Sequence, residues 1–239
     1  MKKVIIIGAS SGIGKALVEV FSQNGYEVGL TARRTELLKE IQPALATKSY
    51  IKYMDLLKPD ESILAFNELI NEMNGVDIVV INSGTGFDSE KLEFSKERSA
   101  IDVNVLGFTA IAVASANYFE NKGVGHIVGI SSVAALRPYR TCPAYGASKA
   151  FISFYLRGLR HKFTRQKKDI YVTDIKPGFV YTPLTQNNGK MIWVSTAEKA
   201  ATQIYKAIIK KKKHAYITKR WLLIAWLFRL IPDFIYNRF

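Results

Sequence analysis

Short runs rich in β-branched residues recur along the chain, separated by longer stretches whose apolar positions repeat every three or four residues. The runs lie at 3–7 (KVIII), 26–31 (YEVGLT), 50–54 (YIKYM), 77–81 (DIVVI), 126–130 (HIVGI), 170–175 (IYVTDI) and 214–218 (HAYIT). Between them, Leu17, Val20 and Phe21, then Ile63, Phe66, Leu69 and Ile70, fall at helical spacing. Strands apolar on both faces and alternating with helices predict a parallel sheet with helices on each side, an α/β doubly wound fold of about seven strands. No linker, repeat or low-complexity tract breaks the alternation. One domain is therefore expected over 1–218, with 219–239 as an apolar and basic helical tail that is either part of that domain or a membrane-surface contact. In such a sheet a ligand lies beyond the carboxyl ends of the strands.

Composition narrows the class. With 239 residues, 48% hydrophobic and 23% charged, the chain is long and apolar enough to bury a core. Cys142 is its one cysteine, which excludes an internal disulfide and fits a reducing, intracellular compartment. His126, His161 and His214 are far apart and lack metal-ligand spacing, so no metal is expected. The opening MKKVIIIGAS places four apolar residues before Gly8, short of the roughly 7 to 15 a secretory signal needs, and reads as a strand. The net charge of +14 favours polyanions: nucleic acid, an anionic membrane or a phosphorylated cofactor. Much of the excess gathers late, in KKKKH (210–214), Lys219, Arg220, Arg229 and Arg238.

Two local patterns carry chemistry. Directly after the first strand, GASSGIG places Gly8, Gly12 and Gly14 before a helix beginning near Ile13. Glycines there permit a tight turn and close approach to a pyrophosphate, which helix N-terminal N–H groups then meet, as in a Rossmann-type dinucleotide site. The second strand ends in TARR, with Arg33 and Arg34 where an NAD site usually offers a carboxylate to the ribose, so NADP(H) is the better match. The alternative is that Arg34 simply opens a solvated helix. In AYGASKA, Tyr145 and Lys149 stand four residues apart, one helical turn, with only small neighbours between them. A fixed cation beside a phenol favours the phenolate, which makes the pair a candidate acid/base. Spacing alone equally fits an ordinary surface helix.

Taken together with five further motifs, these patterns resemble the short-chain dehydrogenase/reductase family over residues 1 to about 218. MDLL supplies Asp55 and Leu56, INSG supplies Asn82, Ser83 and Gly84, DVNVLG supplies Asn104, ISS supplies Ser132, and KPGFVYT supplies Pro177, Gly178, Val180 and Thr182. The resemblance implies that Tyr145 is the general acid and base, that Lys149 binds the nicotinamide ribose and lowers the phenol's pKa, and that Ser132 holds the carbonyl oxygen. It further implies that Asn104 anchors a water relaying protons to Lys149. The cofactor would be held by Gly8, Ser10, Ser11, Gly12, Ile13, Gly14, Arg33, Arg34, Asp55 and Leu56 at the adenosine side. Asn82, Ser83, Gly84, Tyr145, Lys149, Pro177, Gly178, Val180 and Thr182 would serve the nicotinamide side. Read as residues alone, Ser132 also fits a strand-end hydroxyl, Asn104 a helix-bending polar group and Asp55 the cap of a following turn. Two departures stand out: Ile7 where many members have threonine, and Ser83 where alanine is usual.

The segment 183–200 follows as a lid, with Met191, Ile192 and Trp193 as apolar wall candidates alongside Leu136, Tyr139 and Leu184. Ser195 or Thr196 can cap the helix after it. In the tail, Trp221 to Phe228 are uninterrupted apolar residues, too few for the about 20 that a bilayer span needs. This block reads either as an interfacial helix on an anionic leaflet or as a segment packing over the substrate mouth or a neighbouring subunit. The expectation is an NADPH-dependent reductase of an apolar, lipid-like carbonyl, reversibly an alcohol dehydrogenase, present as a homodimer or homotetramer and cytoplasmic or peripheral on the inner face of a membrane. The alternative from another class is a non-catalytic NADP-binding sensor or membrane scaffold. Nucleic-acid binding rests on charge alone and is not expected, because the aromatics form one apolar block rather than spaced stacking platforms.

Overall fold

The computed structural model describes residues 1–87, 91–138, 140–186, 191–232 and 236. Seven strands form its sheet: β1 (Lys3–Ile7), β2 (Glu27–Ala32), β3 (Ser49–Tyr53), β4 (Ile78–Ile81), β5 (Val124–Ile130), β6 (Asp169–Pro177) and β7 (His214–Ile217). Their order is β3-β2-β1-β4-β5-β6-β7, and every pairing is parallel. The chain winds outward from β1 in both directions, so the sheet reverses between β1 and β4, where the fold opens a ligand crevice.

Period-two alternation assigns the strand side chains to two cores. Val4, Ile6, Ile78, Val80 and Val128 face one side, packed with Leu17 and Phe21 of α1 (Gly12–Gln23), Leu38 of α2 (Thr35–Ile41) and Ile204 of α7 (Ala197–Ile209). Ile5, Ile7, Val79, Ile81 and Ile127 face the other, under α3 (Pro59–Glu72), α5 (Phe108–Lys122) and α6 (Pro143–Arg165). Phe66, Phe108, Phe119, Ile152 and Phe163 fill that second core without exposed surface. Local signals set the helix ends: Pro143 opens α6, Thr196 Oγ1 accepts the Lys199 N–H to cap α7, and Gly123 at φ +83° closes α5.

One helical rod is irregular. α4 (Phe94–Ile101) runs into a π-helical turn, Asp102–Gly107, and on into α5. The tail forms α8 (Trp221–Leu230), whose Trp221 and Ala225 are buried against Tyr216 of β7, with Ile224 packed alongside. Structure also separates two basic groups that adjoin in sequence. Lys210–Lys213 precede β7 and Lys219 and Arg220 follow it, so the lysine run sits at the amino end of that strand and α8 at its carboxyl end.

Candidate active site

A cleft of about 440 Å³ crosses the carboxyl ends of the strands. Its first wall is the loop after β1. Gly8 and Gly12 adopt φ of +84° and +53°, a backbone that favours glycine. A Cβ on Gly14 would stand 1.9 Å from the Gly8 carbonyl oxygen, so this glycine permits closure of the loop and does not itself line the cleft. Asn82 Nδ2 donates to that same carbonyl at 2.8 Å and ties the β4 loop to the glycine loop.

At the end of β2 both arginines line the cleft and are exposed. Arg34 stands at the start of α2, as its alternative reading holds, yet its guanidinium also reaches Ser10 Oγ at 3.4 Å. Asp55 lines the same end and accepts the Leu57 N–H at 3.1 Å, so it also caps a turn. Gly8, Ser10, Ser11, Gly12, Ile13, Leu56, Asn82, Ser83 and Gly84 line the cleft as the sequence predicts. So do Tyr145, Lys149, Pro177, Gly178, Val180 and Thr182. This surface fits a nucleotide: a glycine loop opening onto a helix N-terminus at one wall, with two guanidinium groups beside it.

The candidate reacting groups meet where β5 ends and α6 begins. Ser132 Oγ accepts the Ala134 N–H at 3.1 Å, which leaves its own proton for the cleft. Lys149 is buried and its Nζ donates to the Ile130 carbonyl at 3.1 Å. Burial pulls its pKa down to about 8, against the opposing field of Asp174. The ammonium lies 5.6 Å from the centroid of the Tyr145 ring. Gly86 packs directly on that ring, since a Cβ there would come within 2.4 Å of it.

Asn104 is buried in the π-helical turn, a helical irregularity that recurs at functional positions. Its Nδ2 donates to the Thr85 carbonyl at 2.7 Å and to Ser148 Oγ at 2.9 Å, and its Oδ1 accepts the Thr85 N–H at 2.9 Å. Both amide protons are thus engaged within the protein, and only acceptor positions remain for the water expected there. The side chain staples the β4 loop to α6 at Ser148, a contact without a signal in the sequence beyond the small residues between Tyr145 and Lys149.

A second cavity, of about 390 Å³ and largely apolar, adjoins the first. The two share Phe87, Ser132, Tyr145, Gly178, Leu184 and Thr185. Its far wall is mostly apolar, Val133, Ala134, Phe179, Ile192, Trp221 and Ile224, with Arg137, Cys142 and Tyr236 also lining it. Of the wall candidates named from sequence, Leu184 and Ile192 line it. Met191 and Trp193 do not: Trp193 packs edge-on against Trp221, with ring centroids 6.0 Å apart. Leu136 packs into the small core beneath α8, and Tyr139 lies outside the described residues. Trp221 and Ile224 were legible only as apolar residues of the tail. The lid is fixed at its ends by a bridge between Val180 and Ser195, with Tyr181 N–H donating to the Ser195 carbonyl at 2.9 Å. Among the described residues no cluster of three or more His, Cys, Asp or Glu side chains could hold a metal.

Comparison with known proteins bears on the family and the fold. The family model described as short chain dehydrogenase matches residues 2–193. The NADP-dependent 3-hydroxy acid dehydrogenase YdfG of Escherichia coli O6:H1 is 32% identical over 182 residues, covering 74% of this chain and 72% of that protein. A short-chain dehydrogenase from Sphingobium yanoikuyae in complex with NADPH superposes with a TM-score of 0.81 at 24% identity, over 98% of this chain and 97% of that one. A short chain dehydrogenase/reductase from Burkholderia phymatum in complex with NAD gives 0.86 at 19% identity, over 95% and 92%.

Proposed function

Because the chain belongs to the short-chain dehydrogenase family, oxidoreductases that use a nicotinamide cofactor, we propose that it is an NADPH-dependent reductase of apolar carbonyl compounds, reversibly an alcohol dehydrogenase. The observation that carries this reading is the meeting of a nucleotide-fitting cleft and an apolar cavity at Ser132 and Tyr145. When bound, the reduced nicotinamide supplies hydride to the carbonyl carbon. Ser132 donates a hydrogen bond to the oxygen as negative charge develops there, and Tyr145 donates the proton that completes the alcohol. Lys149, held by Ile130, favours the phenolate left behind. Ser83, Gly84, Pro177, Gly178, Val180 and Thr182 are the residues that would orient the ring, and the glycine loop would take the pyrophosphate. A positioned proton donor has no use in a protein that only senses cofactor, which disfavours the non-catalytic alternative.

The arginines support NADP(H) over NAD(H). Replacing Arg33 or Arg34 with alanine is expected to raise the KM for NADPH about tenfold, the loss of one charge-assisted contact, with little change for NADH. Equal losses with both cofactors would remove that preference. The cavity walls support an apolar substrate. With a series of straight-chain ketones or aldehydes, kcat/KM should rise roughly fourfold per added methylene, from about 0.8 kcal/mol each, until the cavity is filled. A flat or falling series would refute the assignment.

The outer side of α8 bears on where substrate comes from. Leu223, Trp226 and Leu230 are 71%, 66% and 59% exposed, while the inner side of the same helix walls the cavity. At ten residues, about 15 Å, α8 cannot span a bilayer. We read it as resting on an anionic membrane beside Lys219 and Arg220, which suits a lipid-like substrate entering from that surface. Leu223→Ser with Trp226→Ser should abolish cosedimentation with phosphatidylglycerol vesicles. Unchanged vesicle binding would refute this reading, and a wild-type dimer that the same changes dissolve would decide for a subunit contact instead. A separate exposed apolar set, Phe94 on α4, Leu106 in the π-helical turn and Phe154 on α6, supports assembly into a homodimer or homotetramer.

A further inference from the structure

Next to the reacting groups, at the end of β6, two ionisable side chains are buried that the chemistry above does not use. Asp174 and Lys176 are 2% and 6% exposed, and their carboxylate and ammonium are in contact. Two positions apart on a strand, they project from the same face, the one covered by α6. A buried ion pair is a poor source of stability compared with apolar residues of the same volume, so its presence asks for another role.

What the carboxylate grips supplies one. Asp174 Oδ1 accepts from Ser131 Oγ at 2.5 Å, and Oδ2 accepts from Ser153 Oγ at 2.7 Å. Lys176 Nζ donates to the same Ser153 at 2.5 Å. Ser131 lies between Ile130, whose carbonyl holds Lys149, and Ser132, whose hydroxyl faces the cleft. Its hydroxyl and its backbone N–H both also reach the Ile175 carbonyl, at 3.0 and 2.8 Å. Ser153 follows Lys149 by one helical turn and Tyr145 by two, on the same stripe of α6.

We propose that Asp174, neutralised by Lys176, is a positioning residue that clamps the end of β5 to α6 and so fixes Ser132 relative to Tyr145 and Lys149. Each arm of one carboxylate holds one of the two elements, and the paired ammonium keeps the clamp free of net charge. The negative charge of Asp174 also opposes the effect of burial on Lys149, which favours its ammonium form. The role assigned here rests on the reductase reading, and its test has a readout that does not.

The serines give variants that keep the ion pair. Ser131→Ala and Ser153→Ala should each lower kcat about five- to tenfold with the KM for NADPH changed less than twofold. Asp174→Asn should lower kcat about a hundredfold and move the kinetic pKa of the reducing step downward. Adding Lys176→Met to Asp174→Asn should restore thermal stability, by removing the stranded charge, without restoring kcat. Amide exchange of residues 130–135 and 145–153 should quicken at least tenfold in both serine variants, whether or not a carbonyl substrate has been found. Serine variants with wild-type kcat, pH profile and exchange would overturn the proposal. So would recovery of kcat together with stability in the Asp174→Asn, Lys176→Met double variant. Quickened exchange in an enzyme inactive toward every carbonyl would instead count against the reductase reading alone.

Discussion

Tyr145→Phe is expected to lower kcat for carbonyl reduction by about 10² to 10⁴-fold, the usual worth of a positioned general acid, while NADPH binds within a few-fold of wild type. The substitution removes only the phenolic oxygen. The ring stays, and with it the contact to Gly86, which sits so close that a methyl group would overlap the ring at 2.4 Å. The packing of the ring is therefore kept. Cofactor titration by nucleotide fluorescence, beside steady-state turnover of a reactive aldehyde, separates the two quantities. Turnover within about threefold of wild type would remove Tyr145 from the chemistry, and with it the central assignment made here.

The second large effect has opposite signs in activity and stability. Lys149→Met should reduce kcat at least a hundredfold, because no cation then favours the phenolate. It should also make the cofactor-free protein more stable at pH 7. Lys149 is enclosed, and burial lowers its pKa from 10.5 to about 8, with Asp174 opposing. Below pH 8 both folded and unfolded chains carry the proton, and the folded chain bears the full penalty, on the order of 3 kcal/mol for that shift. Between about pH 8 and 10.5 the unfolded state binds more protons than the folded one, so wild-type stability rises with pH across that window. Methionine removes the penalty but strands the Ile130 carbonyl, which offsets about 1 to 2 kcal/mol. The net gain at pH 7 is about 1 to 2 kcal/mol, or a melting temperature higher by roughly 2 to 8 °C. It should cross zero at about pH 9 and reverse by pH 10.5, where the penalty is gone and only the stranded Ile130 carbonyl still counts against the variant. Denaturant unfolding of both proteins at pH 7, 8.5 and 10 measures this, and parallel pH dependences would contradict the buried ammonium.

The sheet was legible because its determinants are local. Alternation in KVIII assigns Val4 and Ile6 to one core and Ile5 and Ile7 to the other, and β-branched runs bounded by turns placed all seven strands to within a few residues. The glycine loop, the arginines after β2 and the Tyr145 and Lys149 pair were legible for the same reason, since each motif spans little more than one turn. Contacts between distant segments were not. Trp221 closes a cavity that Tyr145 opens, yet its sequence neighbourhood shows only an apolar tail. Ile192 reaches the cavity without Met191 and Trp193 because the chain bends there: Trp193 takes a φ of +52° and turns its ring onto Trp221. Lys210–Lys213 and Lys219–Arg220 adjoin in sequence, yet β7 between them carries the chain from the amino to the carboxyl ends of the strands.

The π-helical turn gives the rod from Phe94 to Lys122 one residue more than a regular helix would hold there. The surplus rotates everything before it by about 100° relative to everything after it. Upstream of the break, Phe94 and Ile101 look outward at 80% and 47% exposure, whereas downstream Phe108, Ile111, Ala112 and Phe119 lie wholly inside. A single continuous element therefore serves two environments, and the phase slip between them brings the amide of Asn104 to the interior. Deleting one residue at the slip would straighten the rod and put those two faces back in register, and no compensating change on either helix alone could undo it.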